Sequence, residues 1–405
     1  MKIWIDSNHS ASSSALFGVA PVARLRRSAG KLASSFEVEL SGPVAIVSSW
    51  PGALATIDDA PLGTRLRRAL AGSADGLVAI DGSNAIDPRL IDHLAGETQP
   101  CVAMRGEGAQ RAVVLRLDRS QADAVPANAA DLRSVADALL AAGAIGRVDE
   151  SRFPAYVDKL RRALPFWIYA VPDAATRQRL ERQMFWDNYK GSTDVLTRYV
   201  YPPLVWPMVR FCIRFGIHPN AVTILSIILT FAAVPLFANA SWWLGFLCAY
   251  GMSVLDSVDG KLARVTLTDS KIGNMLDHGL DQIHPPFWYF AWAWGLGARE
   301  LADPLYQAAI WFIVFYWADR LVLMVAKRRI GFALHAVTRL DGIVRGFIAR
   351  RNITMTIMAI ALLLGQGAIG FYIVTAWQGL TFAWHSVRTL QLGFLSRGHA
   401  RPEAS

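Results

Sequence analysis

Four aspartates fall at the edges of two strongly apolar stretches. In "DSVDGKLARVTLTDSKIGNMLDHGLD", residues 256 to 281, Asp256 and Asp259 are spaced i, i+3, and Asp277 and Asp281 are spaced i, i+4. On a helix turning about 100° per residue, each pair shares one face. The flanks, "WWLGFLCAYGMSVL" before and "FWYFAWAWGLG" after, suit lipid. A carboxylate at membrane depth costs roughly 2.5 to 3.5 kcal/mol on insertion scales, so four converging acids need a compensating partner. Divalent cations supply it. Hard ions such as Mg²⁺ are held by a few carboxylates while phosphate oxygens of a substrate complete the shell. In-line attack on a pyrophosphate builds charge on the transferred phosphorus and on the leaving phosphate, and two carboxylate-clamped ions, Mg²⁺ or Mn²⁺, neutralise both.

The residues between the pairs fit the same chemistry. Gly260 and Ala263 remove side-chain bulk beside Asp259 and leave room for a planar base or a pyrophosphate, Arg264 adds a fixed positive charge, and Gly273 keeps the approach open one turn before Asp277. Asp281 is the acid farthest from the first pair and can accept the proton of an attacking hydroxyl if it points towards the acceptor. Two plainer readings compete. A proton or cation relay of a transporter also uses intramembrane acids, but it has no need of Gly260, Ala263 and Arg264 at these spacings. A structural ion-pair cluster would set Lys261, Arg264 and Lys271 against five acids, Asp269 included.

Written out, the segment is D-x2-D-G-x2-A-R-x8-G-x3-D-x3-D, and at this point the chain resembles the CDP-alcohol phosphotransferase family, with Asp256, Asp259, Gly260, Ala263, Arg264, Gly273, Asp277 and Asp281 all in place. The upstream "HPNAVT", 218 to 223, is similar to the segment that opens the family's first span, and the likeness covers roughly residues 190 to 390. It implies that Asp256, Asp259 and Asp277 bind the metal ions, and that Asp281 completes the second ion's site or acts as base. The cytidine nucleotide would lie over Gly260 and Ala263, with Asn220 and Thr223 near its phosphates. It also implies a homodimer through the membrane domain.

The elements that must position these residues are legible in the hydropathy. The chain is 53% hydrophobic and 18% charged over 405 residues, and the apolar excess lies almost entirely after residue 200. Of fourteen tryptophans, twelve fall between Trp167 and Trp384, as expected for rings at membrane interfaces. Six spans of near 20 residues are predicted at about 220–239, 242–259, 274–297, 304–326, 353–367 and 369–388. Before them, "LVWPMVRFCIRFGI" carries Arg210 and Arg214 among aromatics and suits a helix lying along the interface. Basic residues cluster in alternate loops, so the positive-inside rule places both termini and the aspartates on the cytoplasmic side of the cell's inner membrane. The first thirty residues lack the pattern of a signal peptide, in keeping with that orientation. The net charge of +9 flanks apolar spans without interleaved aromatics on a soluble surface, which favours an anionic bilayer or a phosphorylated substrate over nucleic acid. Cys101, Cys212 and Cys248 have no metal-ligand spacing and imply neither a disulfide framework nor a zinc site.

The loop from 327 to 351 sets Lys327, Arg328, Arg329, Arg339, Arg345, Arg350 and Arg351 against the single acid Asp341. Topology accounts for most of this charge. A phosphorylated acceptor would also need an arginine clamp near the metals, and Arg320, Arg345 and Arg351 are favoured for it, Arg320 because it sits inside span four beside Asp319. His278 and His284 are assigned no role.

Residues 1–150 alternate short apolar runs, "PVAIVSSW" and "DGLVAIDG", with helical patterns, "LGTRLRRALAG" and "DPRLIDHLAG", and read as a cytoplasmic α/β domain. A helical linker, 151–196, leads to the membrane domain, 197–390, and a cytoplasmic tail, 391–405. "ALFGVAPVARLRRSAGK" and "GLVAIDGSNAIDPRLIDHL" partly resemble a nucleotidyltransferase whose glycine-rich loop has lost its core and in which Ser83 stands at the metal aspartate, with Lys31 and Asp81 as remnants. Such a domain would be inactive, and its fusion resembles the bifunctional enzymes that make CDP-inositol and then di-myo-inositol phosphate phosphate.

The expected fold is an α-helical integral membrane bundle of six transmembrane helices with a preceding interfacial helix, fused to a cytoplasmic α/β nucleotidyltransferase-like domain. The expected function is metal-dependent transfer of a phosphatidyl or related phosphoalcohol group from a CDP-alcohol, CDP-diacylglycerol being the commonest donor, to an alcohol or phosphoalcohol such as inositol phosphate, with release of CMP in phospholipid biosynthesis. Three alternatives stay open: a synthase using CDP-inositol, a non-catalytic membrane scaffold, and a transporter.

Overall fold

The computed structural model describes residues 1–7, 15–32, 37–42, 54–107, 111–157, 160–171, 173–268 and 271–395; within these, the side chains of 29–32, 54–55, 271–278, 280–283 and 395 fall outside the description. The expected run "PVAIVSSW", 43–50, is outside the described residues, as are the side chains of Lys31, Gly273, Asp277, His278 and Asp281. The chain divides into two units, 1–155 with 164–186, and 156–163 with 187–405.

The first unit is built on strands β1 (Lys2–Asp6), β2 (Glu37–Gly42), β3 (Leu54–Ile57), β4 (Leu77–Asp81), β5 (Asn84–Ile86), β6 (Cys101–Arg105), β7 (Ala112–Leu117) and β8 (Gly146–Arg147). Seven of these form one sheet in the order β3-β2-β1-β4-β7-β6-β8, while β5 pairs elsewhere. The strand β1 runs parallel to both β2 and β4, whereas β7 is antiparallel to β4 and β6. The apolar run Leu77–Ile80 is continuous because both faces of the sheet are covered. Ile3, Ile5, Val78 and Ile80 pack on one side against α1 (Pro21–Leu32) and α3 (Pro88–Gly96). Trp4, Leu77 and Ala79 pack on the other against α2 (Leu62–Ala71) and α4 (Leu132–Ala141).

The segment expected as a helical linker is more varied. It holds strands β9 (Tyr156–Val157), β10 (Arg162–Ala163) and β11 (Ile168–Ala170) before helix α5 (Ala174–Asp187). The strand β11 pairs antiparallel with β5 and so belongs to the first unit, whereas the β9–β10 hairpin belongs to the second. Pairing is a long-range choice, and the local pattern of these short stretches does not contain it.

The second unit is helical: α6 (Pro202–Arg214), α7 (Pro219–Ala238), α8 (Trp242–Thr266), α9 (Lys271–Gly295), α10 (Pro304–Ile330), α11 (Arg339–Val344), α12 (Arg351–Leu363) and α13 (Gly367–Leu390). Each predicted span has a helix at its place. His218 caps α7, its Nδ1 accepting the Asn220 N–H at 3.2 Å, and Pro219 stands in the first turn, where a missing N–H does no harm. Phe237 is fully buried at the centre of the aromatic core, with Trp288 and Trp292 edge-on to it. Two glycines make this possible. A Cβ on Gly245 would fall 2.5 Å from the Phe237 ring, and one on Gly295 would fall 2.1 Å from its carbonyl oxygen.

Among the described residues, two helices are long and apolar enough to cross a membrane, α7 with mean hydropathy 2.3 and α10 with 1.7. Their apolar windows are only 33% and 22% buried within the chain, and Ile224, Ile228 and Phe231 stand exposed along one stripe of α7. Apolar helices with this much bare surface are stable in lipid rather than in water, which supports an integral membrane protein. The helices α8 and α9 carry the charged motif.

Candidate active site

The site takes shape around α8. Asp256 and Asp259 lie one turn apart on it, and Asp259 is buried, its Oδ2 accepting the Thr223 hydroxyl of α7 at 2.6 Å. That hydroxyl is neutral, so it orients the carboxylate without balancing its charge. Asp256 Oδ2 accepts Nη2 of Arg351, from the start of α12, at 2.8 Å. The Arg264 guanidinium lies beside Gly260, where an added Cβ would come within 3.2 Å of its Nη1. Lys261 sits under the Tyr189 ring, its Nζ 3.4 Å from the centroid.

Asp277 and Asp281 are on α9, but their side chains lie outside the description. Among the described residues, no third His, Cys, Asp or Glu joins Asp256 and Asp259 as a metal-ligating group. The donor set nevertheless fits a hard divalent ion. A buried carboxylate whose hydrogen-bond donors are a hydroxyl and the backbone is stable when a cation completes its surroundings.

A cavity of about 210 Å³ opens over this helix, with Asp256, Gly260, Lys261 and Arg264 in its wall. Arg320, Arg345 and Arg351 of the sequence reading line it too, in three different settings. Arg351 is committed to Asp256 and also reaches Ser253 Oγ at 3.3 Å. Arg320 is exposed, lies over the Tyr316 ring and donates to its hydroxyl at 2.9 Å. Arg345 is buried, with Nη1 3.0 Å from His335 Nε2 and no partner for its Nε. Burial, and then the charge of Arg345, hold His335 well below its usual value. A neutral ring can accept at Nε2, so His335 is the acceptor in that contact. Asn220 and Thr223 stand at the start of α7; Thr223 serves Asp259 directly.

Several wall residues have no signal in the sequence pattern. Asp194 accepts from Thr197 N–H at 3.0 Å, Thr197 Oγ1 at 2.9 Å and Asn352 Nδ2 at 3.0 Å, with Arg350 Nη1 3.8 Å away. Burial opposes its ionisation, but the Arg350 charge and these hydrogen bonds outweigh it and hold the carboxyl below its usual value. Lys190 is exposed to the cavity by its accessible surface, yet the walls enclose it on most sides. That enclosure, then Arg161, Arg264 and Arg350, push its ammonium down to about 8 against the opposing pull of Asp256.

Residues 216–386 match the model of the CDP-alcohol phosphatidyltransferase family. They form a CDP-alcohol phosphatidyltransferase domain. The family consists of phosphotransferases, and the domain contains Asp256, Asp259, Arg320, Arg345 and Arg351 but not Arg161, Lys190 or Asp194. The chain is 30% identical over 142 residues to cholinephosphotransferase 1 of Mus musculus and to that of Rattus norvegicus, covering 31% of this chain and 34% of each relative. It thus spans about a third of the length of the curated relatives it matches. Among solved structures, the phosphatidylinositol phosphate synthase of Mycobacterium tuberculosis with CDP-DAG bound is 18% identical with a TM-score of 0.36, over 49% of this chain and 98% of that one. The same enzyme with manganese and citrate is 19% identical with a TM-score of 0.37, over 49% and 92%. Likeness at that level transfers no residue to this chain.

Proposed function

We propose that this chain transfers a phosphatidyl or related phosphoalcohol group from a CDP-alcohol, with CDP-diacylglycerol as donor, to the hydroxyl of a phosphorylated alcohol of the inositol phosphate class, releasing CMP in phospholipid biosynthesis. The observation that carries the reading is the pairing of Asp256 and Asp259, one of them buried, with a cavity rich in arginine and lysine. Asp256 and Asp259, with Asp277 and Asp281 from α9, would hold two divalent ions, Mg²⁺ or Mn²⁺. Bound there, the ions would supply charge neutralisation for the phosphoryl group in transfer and for the leaving phosphate.

The chain's own groups do the rest. Thr223 fixes the Asp259 carboxylate, and Arg351 orients Asp256. The nucleotide lies over Gly260 and Ala263, with Asn220 near its phosphates and Arg264 as a further positive charge; Gly273 keeps the second helix clear. The acceptor hydroxyl attacks the donor phosphorus that bears the alcohol, forming one P–O bond as the P–O bond to CMP breaks. Its proton passes to a carboxylate, for which Asp281 is placed by its spacing. Arg320 and Arg345 attract the acceptor's phosphate. The helices α7–α10, α12 and α13 would be the six spans, with the site and both termini on the cytoplasmic face of the inner membrane, in a homodimer.

The donor could instead be CDP-inositol, made by the α/β unit. The acids at the carboxyl ends of its central strands argue against this. Asp6 is held in a buried ion pair with Arg65 at 2.8 Å, and Asp81 Oδ1 accepts the Ser83 N–H and hydroxyl at 2.8 and 2.7 Å. Both serve the fold, which favours a ready-made CDP-alcohol.

Purified protein with Mg²⁺ or Mn²⁺ and CDP-diacylglycerol is expected to release CMP when the acceptor is added, and to stop when the metal is chelated. Asp256→Asn should cut the rate by more than about 100-fold, beyond what outer-shell partners of a metal contribute. Full activity in that variant would overturn the assignment.

A further inference from the structure

The run from 327 to 351 reads as a basic loop, yet its middle is folded inside out. On α11 and the turn after it, Leu340, Ile343 and Phe347 fall at i, i+3 and i+7 and are 52%, 56% and 55% exposed. The charged residues of the same stretch point inward. Asp341 is buried, its two oxygens accepting Nε and Nη2 of Arg388 at 2.7 and 2.8 Å, and Arg345 is buried in the cavity wall. Single exposed apolar residues are ordinary on a soluble surface, but an apolar stripe outside with charged groups inside is the arrangement of a segment facing lipid.

Its contacts run along α13. Arg388 holds Asp341, Thr381 Oγ1 accepts the Ala349 N–H at 2.9 Å, and Trp377 Nε1 donates to the Phe347 carbonyl at 2.8 Å. From Arg388 to Trp377 is about 16 Å of helix, the thickness of one bilayer leaflet's hydrocarbon. Trp377 is itself 36% exposed and Leu380 61%, so the apolar stripe continues onto α13.

The backbone of this stretch is treated as lipid demands. Residues 345–350 have left the helix, and their polar groups are met by protein: Trp377 and Thr381 as above, and the Val195 N–H, which donates to Gly346 O at 3.2 Å. Irregular chain at membrane depth is tolerated where it lines a cavity, and Arg345, Ile348, Ala349 and Arg350 line this one. Length agrees. Helix α12 has 13 residues, about 20 Å, against roughly 30 Å of hydrocarbon core.

We propose that residues 339–350 re-enter the bilayer, with Leu340, Ile343 and Phe347 against acyl chains of the cytoplasmic leaflet, so that α11, the break after it and α12 form one discontinuous crossing. This rests on the membrane placement proposed above and is independent of the transfer reaction. At the break one thickness of chain separates lipid from cavity, with Phe347 outward and Arg345 and Ile348 inward. The lipid against the stripe thereby helps to set where Arg345 stands.

The test uses the full chain in lipid nanodiscs, with its three cysteines replaced by alanine and one fluorophore attached in turn through Leu340→Cys, Ile343→Cys or Phe347→Cys. Nitroxide-bearing lipids and aqueous iodide are compared as quenchers. Labels at 343 and 347 should lose most of their emission to the lipids and little to iodide, and the label at 347 should respond more than that at 340 to nitroxides set deep in the chain. Quenching by iodide and not by lipid places the segment in water and overturns the proposal. Shielding from both overturns it as well, and crosslinking between Phe347→Cys chains would then name a second copy as the occupant. If the labelled chains do not fold, Phe347→Leu and Phe347→Lys decide: leucine should keep the wild-type thermal midpoint and lysine should lower it, because a charge against acyl chains is costly. Equal midpoints overturn the proposal. None of these readouts needs turnover, so failure to release CMP would sink the transfer reaction and leave the re-entrant segment standing.

Discussion

Asn352, in the first turn of α12, uses all four of its side-chain hydrogen-bonding positions on other segments. Its Oδ1 accepts from Tyr201 Oη at 2.9 Å and from Ser253 Oγ of α8 at 2.6 Å, while its Nδ2 donates to Asp194 Oδ1 at 3.0 Å and Thr197 Oγ1 at 3.1 Å. Asn352→Leu keeps the branched heavy-atom skeleton and removes all four bonds. Three are neutral, worth about 1 kcal/mol each, and the one to ionised Asp194 is worth about 1.5 to 3 kcal/mol, an upper sum of roughly 4 to 6 kcal/mol. Some of this is recovered by apolar packing of the leucine, but Tyr201, Ser253 and Asp194 are buried, so a loss of roughly 3 kcal/mol is expected. At about 2 to 4 °C per kcal/mol for a unit of this size, the thermal midpoint in nanodiscs should fall by roughly 6 to 12 °C. Activity should fall as well, because Ser253 also receives Arg351, which orients Asp256. Tyr201→Phe, which removes a single neutral bond, should cost about 1 kcal/mol. A midpoint for Asn352→Leu within about 2 °C of the wild type would refute this reasoning.

The depressed carboxyl of Asp194 makes a second prediction. Its contribution to stability is complete above the ordinary carboxylate value near pH 4 and is lost as the pH falls through the lower folded value, so wild type should lose stability on acidification where Asp194→Asn, already destabilised, shows a shallower slope. Lys190, with its ammonium near 8, is charged at pH 7 and neutral at pH 9, so the KM for a phosphorylated acceptor should rise through pH 8 in the wild type and stay flat in Lys190→Met. A wild-type KM independent of pH from 7 to 9 would count against Lys190 as an anion ligand.

What the sequence by itself determined is what depends on local spacing. Asp256 and Asp259 share a helix face because three residues make nearly one turn, and the pattern around them pointed to the family before any neighbour was known. The helices at 219–238 and 304–330 were legible because lipid demands a continuous apolar run of a given length. In the first unit, Leu77–Ile80 reads as a covered strand from composition alone. Only the tertiary structure decided which distant groups converge. Arg161, Lys190, Asp194 and Asn352 lie in stretches with no periodicity to single them out, and they matter through contacts with residues up to about 160 positions away. Arg345 and Arg351 look alike in a basic run, and Arg320 sits apart inside the fourth predicted span, yet one is buried against a histidine, one is paired with Asp256 and the third is exposed on a tyrosine. The sheet order and the division of 151–196 between two units belong to the same class. Helix geometry repeats every few residues and is written into neighbouring positions, whereas long-range pairing is settled by which surfaces can be buried together once the chain has folded.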